Sequence, residues 1–179
     1  MKLIALTGPK QVGKSTVARA IQDSLAVQDF VDTDILSFAD PMRAMLKAIG
    51  VDNSSLVDQT KKESPIEGIG KSARYLMQTL GTDWGRNIID ENIWLWALQN
   101  RIELVRKNGA EVVVIDDCRF DNEAKWVKDN GGLVVRLTRS GIEYGVDSHE
   151  SEQAVESFDI SIDAGDEHEA ARRIVERAY

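Results

Sequence analysis

Lys2-Leu3-Ile4-Ala5-Leu6-Thr7, followed at once by Gly8-Pro9-Lys10-Gln11-Val12-Gly13-Lys14-Ser15-Thr16, decides how the rest of the chain is read. An apolar run leads into a glycine-bounded loop. After the loop, Val17, Ala18, Ile21 and Leu25 fall on one helical face. Gly8 and Gly13 bracket four residues ahead of Lys14-Ser15, the spacing of a phosphate loop. Glycines permit backbone angles and a close approach that side chains forbid. The N–H groups so exposed, with the start of the next helix, direct partial positive charge at a phosphate. Gly8, Lys10, Val12, Gly13, Lys14, Ser15 and Thr16 are therefore the expected set for binding a nucleotide triphosphate. Within it, Lys14 would reach the terminal phosphates, and the Ser15 hydroxyl would be a ligand of Mg²⁺.

The bulk numbers fit that reading. A chain of 179 residues has length for one domain with a full core. A net charge of −8 argues against general nucleic-acid binding, which needs cations to neutralise phosphates. The single cysteine, Cys118, allows no internal disulfide and suits a reducing cytoplasm. No apolar run approaches membrane-spanning length, and the N-terminus lacks a secretory pattern. A soluble cytoplasmic protein with no membrane partner is expected.

Residues 30–38 alternate loosely and contain a short strand. Asp40-Pro41 opens a helix carrying Met42, Met45, Leu46 and Ile49, closed by Gly50. Residues 51–70 show no period and read as a long loop or flap. Residues 71–80 read as a helix ended by Gly81, and about 90–107 as another, stopped at Asn108-Gly109. The near-continuous apolar run before Asp116-Asp117 is that of a central parallel strand. A short helix at 122–130, a strand at 133–138, an irregular stretch at 139–151, a last strand at 160–162 and a helix at 168–178 complete the chain. The expected fold is α/β: a mostly parallel sheet flanked by helices, of the P-loop NTPase type.

Asp116-Asp117 ends its strand where a carboxylate can hold Mg²⁺ or its water shell. Arg136 and Arg139 can stabilise the charge that phosphoryl transfer spreads over the moving group. Trp84, in a glycine-bounded turn, can stack on a base or simply pack, whereas Trp94 reads as core. His149, among carboxylates but with no second histidine near, reads as a hinge or helix start rather than a metal ligand. Cys118 reads as a small buried hydrophobe.

Together these stretches resemble the deoxynucleoside monophosphate kinases of tailed bacteriophages, within the P-loop kinase superfamily. The resemblance is carried by Gly8 to Thr16, by Ser37-Phe38-Ala39-Asp40-Pro41 with Arg43, and by Ser72-Ala73-Arg74 through Leu80-Gly81-Thr82-Asp83-Trp84-Gly85-Arg86. Asp117-Cys118-Arg119-Phe120-Asp121-Asn122-Glu123 and Ser148-His149-Glu150-Ser151-Glu152 complete it. It implies transfer of the γ-phosphoryl group of ATP to the 5′-phosphate of a deoxynucleotide, with Mg²⁺. The implied acceptor-side set is Phe38, Arg43, Arg74, Gln78, Trp84, Arg86, Asp117, Arg119 and Glu152. The implied catalytic set is Lys14, Asp117, Arg139 as lid arginine and Arg136 behind it. Ser15 and Asp117 are the implied metal residues, Asp117 being preferred to Asp116 because it holds the motif position. Asp121 stands where relatives often have proline, a difference confined to a turn.

The whole chain, 1–179, is expected to be one kinase domain with an acceptor region at about 40–90 and a lid at about 139–151. A homodimer, and the host cytoplasm as location, are expectations from the resemblance alone. A kinase for another small phosphorylated acceptor is the alternative within the same class, and a non-catalytic ATP-binding regulator the alternative outside it. The arginine set favours the first reading, since a regulator has no need of it. No Asn-Lys-x-Asp stretch supports a GTPase.

Overall fold

The apolar run at the N-terminus forms β1 (Lys2–Thr7), and β1 is the middle strand of the sheet. A computed structural model describes residues 1–28, 31–58, 60–144 and 153–179 of the chain. After β1 come α1 (Lys14–Gln28), β2 (Thr33–Leu36), α2 (Asp40–Ala48), α3 (Asn53–Val57) and α4 (Ala73–Gln78). A π-helical segment (Thr79–Ile89), α5 (Ile93–Lys107), β3 (Val112–Ile115), α6 (Asp121–Asp129), β4 (Leu133–Thr138), β5 (Ile160–Asp163) and α7 (Glu167–Ala178) follow. The chain divides into two compact units, Met1–Ser37 with Leu98–Tyr179, and Phe38–Ala97.

The first unit holds the sheet, in the order β2-β3-β1-β4-β5 with every pairing parallel. Its two faces are set by the period of two along each strand. Ile4, Leu6, Val112, Val114, Val135 and Leu137 point to one side, where they form a core with α1 and α7. The alternate residues point to the other side, and there α6 packs. A Cβ on Gly132 would lie 2.6 Å from the Val127 side chain of α6 and 2.8 Å from that of Leu3. β3 is buried along its whole length, as a central parallel strand must be.

The second unit has its own small core of Leu46, Val51, Leu56 and Ala73, with Ile66, Leu76, Met77 and Leu80 around it. Two expectations are corrected here. The stretch 51–70 is not loop throughout: Asp52 caps the short α3 by accepting from the Ser55 N–H. Gly81 does not end a helix either, because α4 runs directly into the π-helical segment.

The glycines of that segment serve packing rather than turning. Neither Gly81 nor Gly85 has positive φ. A Cβ on Gly85 would meet the Trp94 ring at 2.5 Å, and one on Gly81 would meet the Met42 sulfur at 2.8 Å. Trp94 is buried as expected, and its indole N–H donates to the Gly81 carbonyl at 2.7 Å. Gly85→Ala should therefore destabilise the protein by about 1–3 kcal/mol, the cost of overpacking against a rigid ring. Gly81→Ala should cost less, because a methionine end can move aside. Urea unfolding measures both, and equal stability of the two variants would contradict this packing account.

Candidate active site

The carboxyl edge of the sheet gathers the polar residues of the first unit. Gly8 and Gly13 both have positive φ, and Gly8 lies so close to β4 that a Cβ would sit 2.6 Å from the Leu137 carbonyl oxygen. Only glycine fits that position. Val12 is fully buried in the core below the loop, while Lys10, Ser15 and Thr16 are exposed. The Lys14 ammonium donates to the carbonyls of Gly8 and Pro9, at 2.7 and 2.8 Å, and so folds back over its own loop.

Asp116 and Asp117 part company. Alternation sends Asp116 to the same side as Val112 and Val114, toward α1, and Asp117 to the other side, where it is buried. The Ser15 hydroxyl donates to Asp116 Oδ2 at 2.6 Å, and the Ser37 hydroxyl donates to Oδ1 at 2.5 Å. The carboxylate meeting Ser15 is thus that of Asp116, where the sequence reading preferred Asp117. Two hydroxyls and a carboxylate are hard oxygen donors of the kind Mg²⁺ takes beside substrate phosphates, so the set fits that ion. No group of three or more His, Cys, Asp or Glu side chains able to hold a metal occurs among the described residues.

The two arginines of β4 and its end separate in the same way. Arg139 lies on the α1 side, its Nη1 3.9 Å from where a Cβ on Gly13 would be, with Nη2 3.4 Å from the Gly165 carbonyl. A turn follows, closed by the Ile142 N–H to the Arg139 carbonyl. Arg136 points to the other face, stacks on the Phe158 ring at 3.8 Å and donates to the Val155 carbonyl. The structure does not bring Arg136 to the glycine loop.

Arg119 follows β3 on a loop held by Glu123, whose buried carboxylate accepts from the N–H groups of Arg119 and Phe120, at 2.8 and 3.2 Å. This positioning role, like that of Ser37, is absent from the sequence-based site. The Glu at the third position of a helix is its visible signal.

In the second unit, Phe38 is buried. Arg43 pairs with Asp40 at 2.8 Å and Arg74 with Glu63 at 2.5 Å, while Arg86 donates to the Glu91 carbonyl. Gln78 ends α4. Trp84 is 38% exposed and tilts against Trp94, with ring centroids 6.4 Å apart. It packs on one side and keeps an open surface on the other. Glu152, His149 and the larger part of the expected lid lie outside the described residues.

A family model described as deoxynucleotide monophosphate kinase matches residues 49–167. A protein of Acanthamoeba polyphaga mimivirus, provisionally named a deoxynucleotide monophosphate kinase, is 34% identical over 178 residues, covering 89% of this chain and 86% of its own. The deoxynucleoside-5′-monophosphate kinase of Escherichia phage T5 is 35% identical over 72 residues, which cover 40% of this chain and 28% of the phage protein. Among solved structures, an APS kinase of Mycobacterium tuberculosis superposes with a TM-score of 0.55 over 98% of this chain and 94% of that one, at 16% identity. That likeness is one of fold: a five-stranded parallel sheet flanked by helices.

Proposed function

The chain belongs to the deoxynucleotide monophosphate kinase family, and from that premise we propose that it transfers the γ-phosphoryl group of Mg²⁺-bound ATP to the 5′-phosphate of a deoxynucleoside monophosphate. The observation that carries the reading is the joint between the glycine loop and Asp116, where a phosphate cradle and a hard-oxygen donor pair meet. An oxygen of the acceptor phosphate attacks the γ-phosphorus. The bond to the β–γ bridging oxygen breaks, and ADP leaves with the electron pair. No protein nucleophile is needed, so position and charge carry the catalysis.

Backbone N–H groups of Gln11, Gly13, Lys14 and Ser15 hold the donor phosphates, and Lys14 leaves the Gly8 and Pro9 carbonyls to reach them. Ser15 and Asp116 would hold Mg²⁺, which when bound neutralises charge on the donor phosphates. Arg139, beside Gly13, supports the charge of the transferring group. In the second unit Arg43, Arg74, Gln78, Trp84 and Arg86 hold the motif positions of acceptor residues, and in the first unit Asp117 and Arg119 do so. Their support is the match of motif positions together with the exposed face of Trp84 and the fixed loop of Arg119.

The test is ADP release from Mg²⁺-ATP with each deoxy- and ribonucleoside monophosphate supplied singly. Release that depends on one or more deoxynucleotides supports the reading, and release that ignores every acceptor contradicts it. The metal assignment has its own readout. Asp116→Asn should raise the Mg²⁺ concentration needed for half-maximal rate at least about tenfold, as expected for loss of a ligand charge. Asp117→Asn should leave that concentration unchanged; the reverse pattern would return the metal to Asp117.

A further inference from the structure

On the sheet face covered by α6, two polar atoms are buried without a hydrogen-bond partner among the described residues: Nε of Arg136 and the Tyr144 hydroxyl. Strand register brings them together. Arg136 pairs with Thr7 across the β4–β1 ladder, and the Tyr144 hydroxyl lies near the Thr7 side chain and within the field of Arg136. No hydrogen bond of ordinary geometry closes between the two hydroxyls. Burial pushes the Tyr144 phenol up from its usual range, so it stays protonated and can donate.

The Arg136 guanidinium meets the Phe158 ring and the Val155 carbonyl, both uncharged groups that orient it, while the Glu156 carboxylate acts on the Tyr144 phenol from nearby without hydrogen bonding its hydroxyl. A partly buried cation beside an unmatched hydroxyl is costly unless an anion completes it. Two buried donors on one face of the sheet, one of them carrying a positive charge, suit an oxyanion. The phosphates of ATP belong to the opposite side, where Gly13, Lys14, Ser15 and Arg139 lie toward α1. The anion left for this side, next to Asp117 and the Arg119 loop, is the phosphate of the acceptor.

We propose that Arg136 and Tyr144 form an oxyanion subsite that binds the acceptor 5′-phosphate, which makes Tyr144 a determinant of specificity for phosphorylated acceptors. This rests on the kinase reading above, and it moves Arg136 from the transferring group to the acceptor. Tyr144→Phe removes one oxygen and leaves no cavity, so the variant should melt as the parent does.

The decisive comparison is equilibrium binding without ATP, using a deoxynucleoside monophosphate that the parent protein binds and the corresponding deoxynucleoside. Tyr144→Phe should bind the monophosphate about tenfold more weakly, the effect of losing a hydrogen bond to a charged group. It should bind the deoxynucleoside and ATP as the parent does. In steady state, KM for the monophosphate should rise by a similar factor, with KM for ATP unchanged. Arg136→Lys, which keeps charge but loses the planar fork, should show the same selective loss.

Unchanged monophosphate affinity in Tyr144→Phe overturns the subsite, and marks the pair as a structural site completed by water. Equal loss for the deoxynucleoside also overturns it, since the hydroxyl would then read sugar or base. A parent protein that binds the monophosphate without releasing ADP defeats the kinase reading while leaving this comparison intact.

Discussion

Lys14→Ala should lower kcat by at least about 10³-fold, the scale of removing a preorganised charge from a transferring phosphoryl group. In the structure the Lys14 ammonium donates to the Gly8 and Pro9 carbonyls of its own loop. Its loss should therefore cost little stability. The variant should melt within a few degrees of the parent, and it should still bind a deoxynucleoside monophosphate. Single-turnover measurements at saturating ATP separate the loss of chemistry from weaker binding. Unchanged turnover in a folded Lys14→Ala protein would remove the glycine loop from the account.

Arg139→Ala is the second large effect. Its guanidinium stands by Gly13, next to the loop that holds the donor phosphates, and a hydrogen bond of 3.4 Å to Gly165 binds it only loosely. A group placed this way acts mainly on charge that appears in the transition state. The expected loss in kcat is about 10²- to 10³-fold, with KM for ATP changing only a few-fold. Equal losses in kcat and in ATP affinity would make Arg139 a ground-state ligand instead. Compared with Tyr144→Phe, the pair forms a clean contrast, since one variant acts on rate and the other on acceptor affinity.

The glycine loop was legible in the sequence because its chemistry is local: spacing and residue types are the site. The central strand at 112–115 was legible for a similar reason, since only burial on both faces explains four consecutive apolar β-branched residues. The choice between Asp116 and Asp117 was also within reach. Counting by twos from Val112 and Val114 places Asp116 on the side of α1, as counting from Val135 and Leu137 separates Arg139 from Arg136. Motif position pointed to Asp117, and strand parity decides otherwise for the partner of Ser15.

The glycines at 81 and 85 misled for a physical reason. Glycine marks a helix stop when it takes positive φ, yet it also marks where another group comes too close for a Cβ. Sequence alone does not separate the two; the positions of Met42 and Trp94 do. Tyr144 carried no signal at all, because its setting is made by Thr7 and Arg136 arriving from distant parts of the chain.

The claim tested most directly is where the γ-phosphoryl group goes. Phosphorus NMR of a reaction with ATP and an accepted deoxynucleoside monophosphate follows every phosphate at once. The account predicts that the acceptor's single resonance gives way to the paired resonances of a deoxynucleoside diphosphate, as the γ-signal of ATP disappears in equal amount. Disappearance of the γ-signal into inorganic phosphate, with the acceptor unchanged, would contradict it.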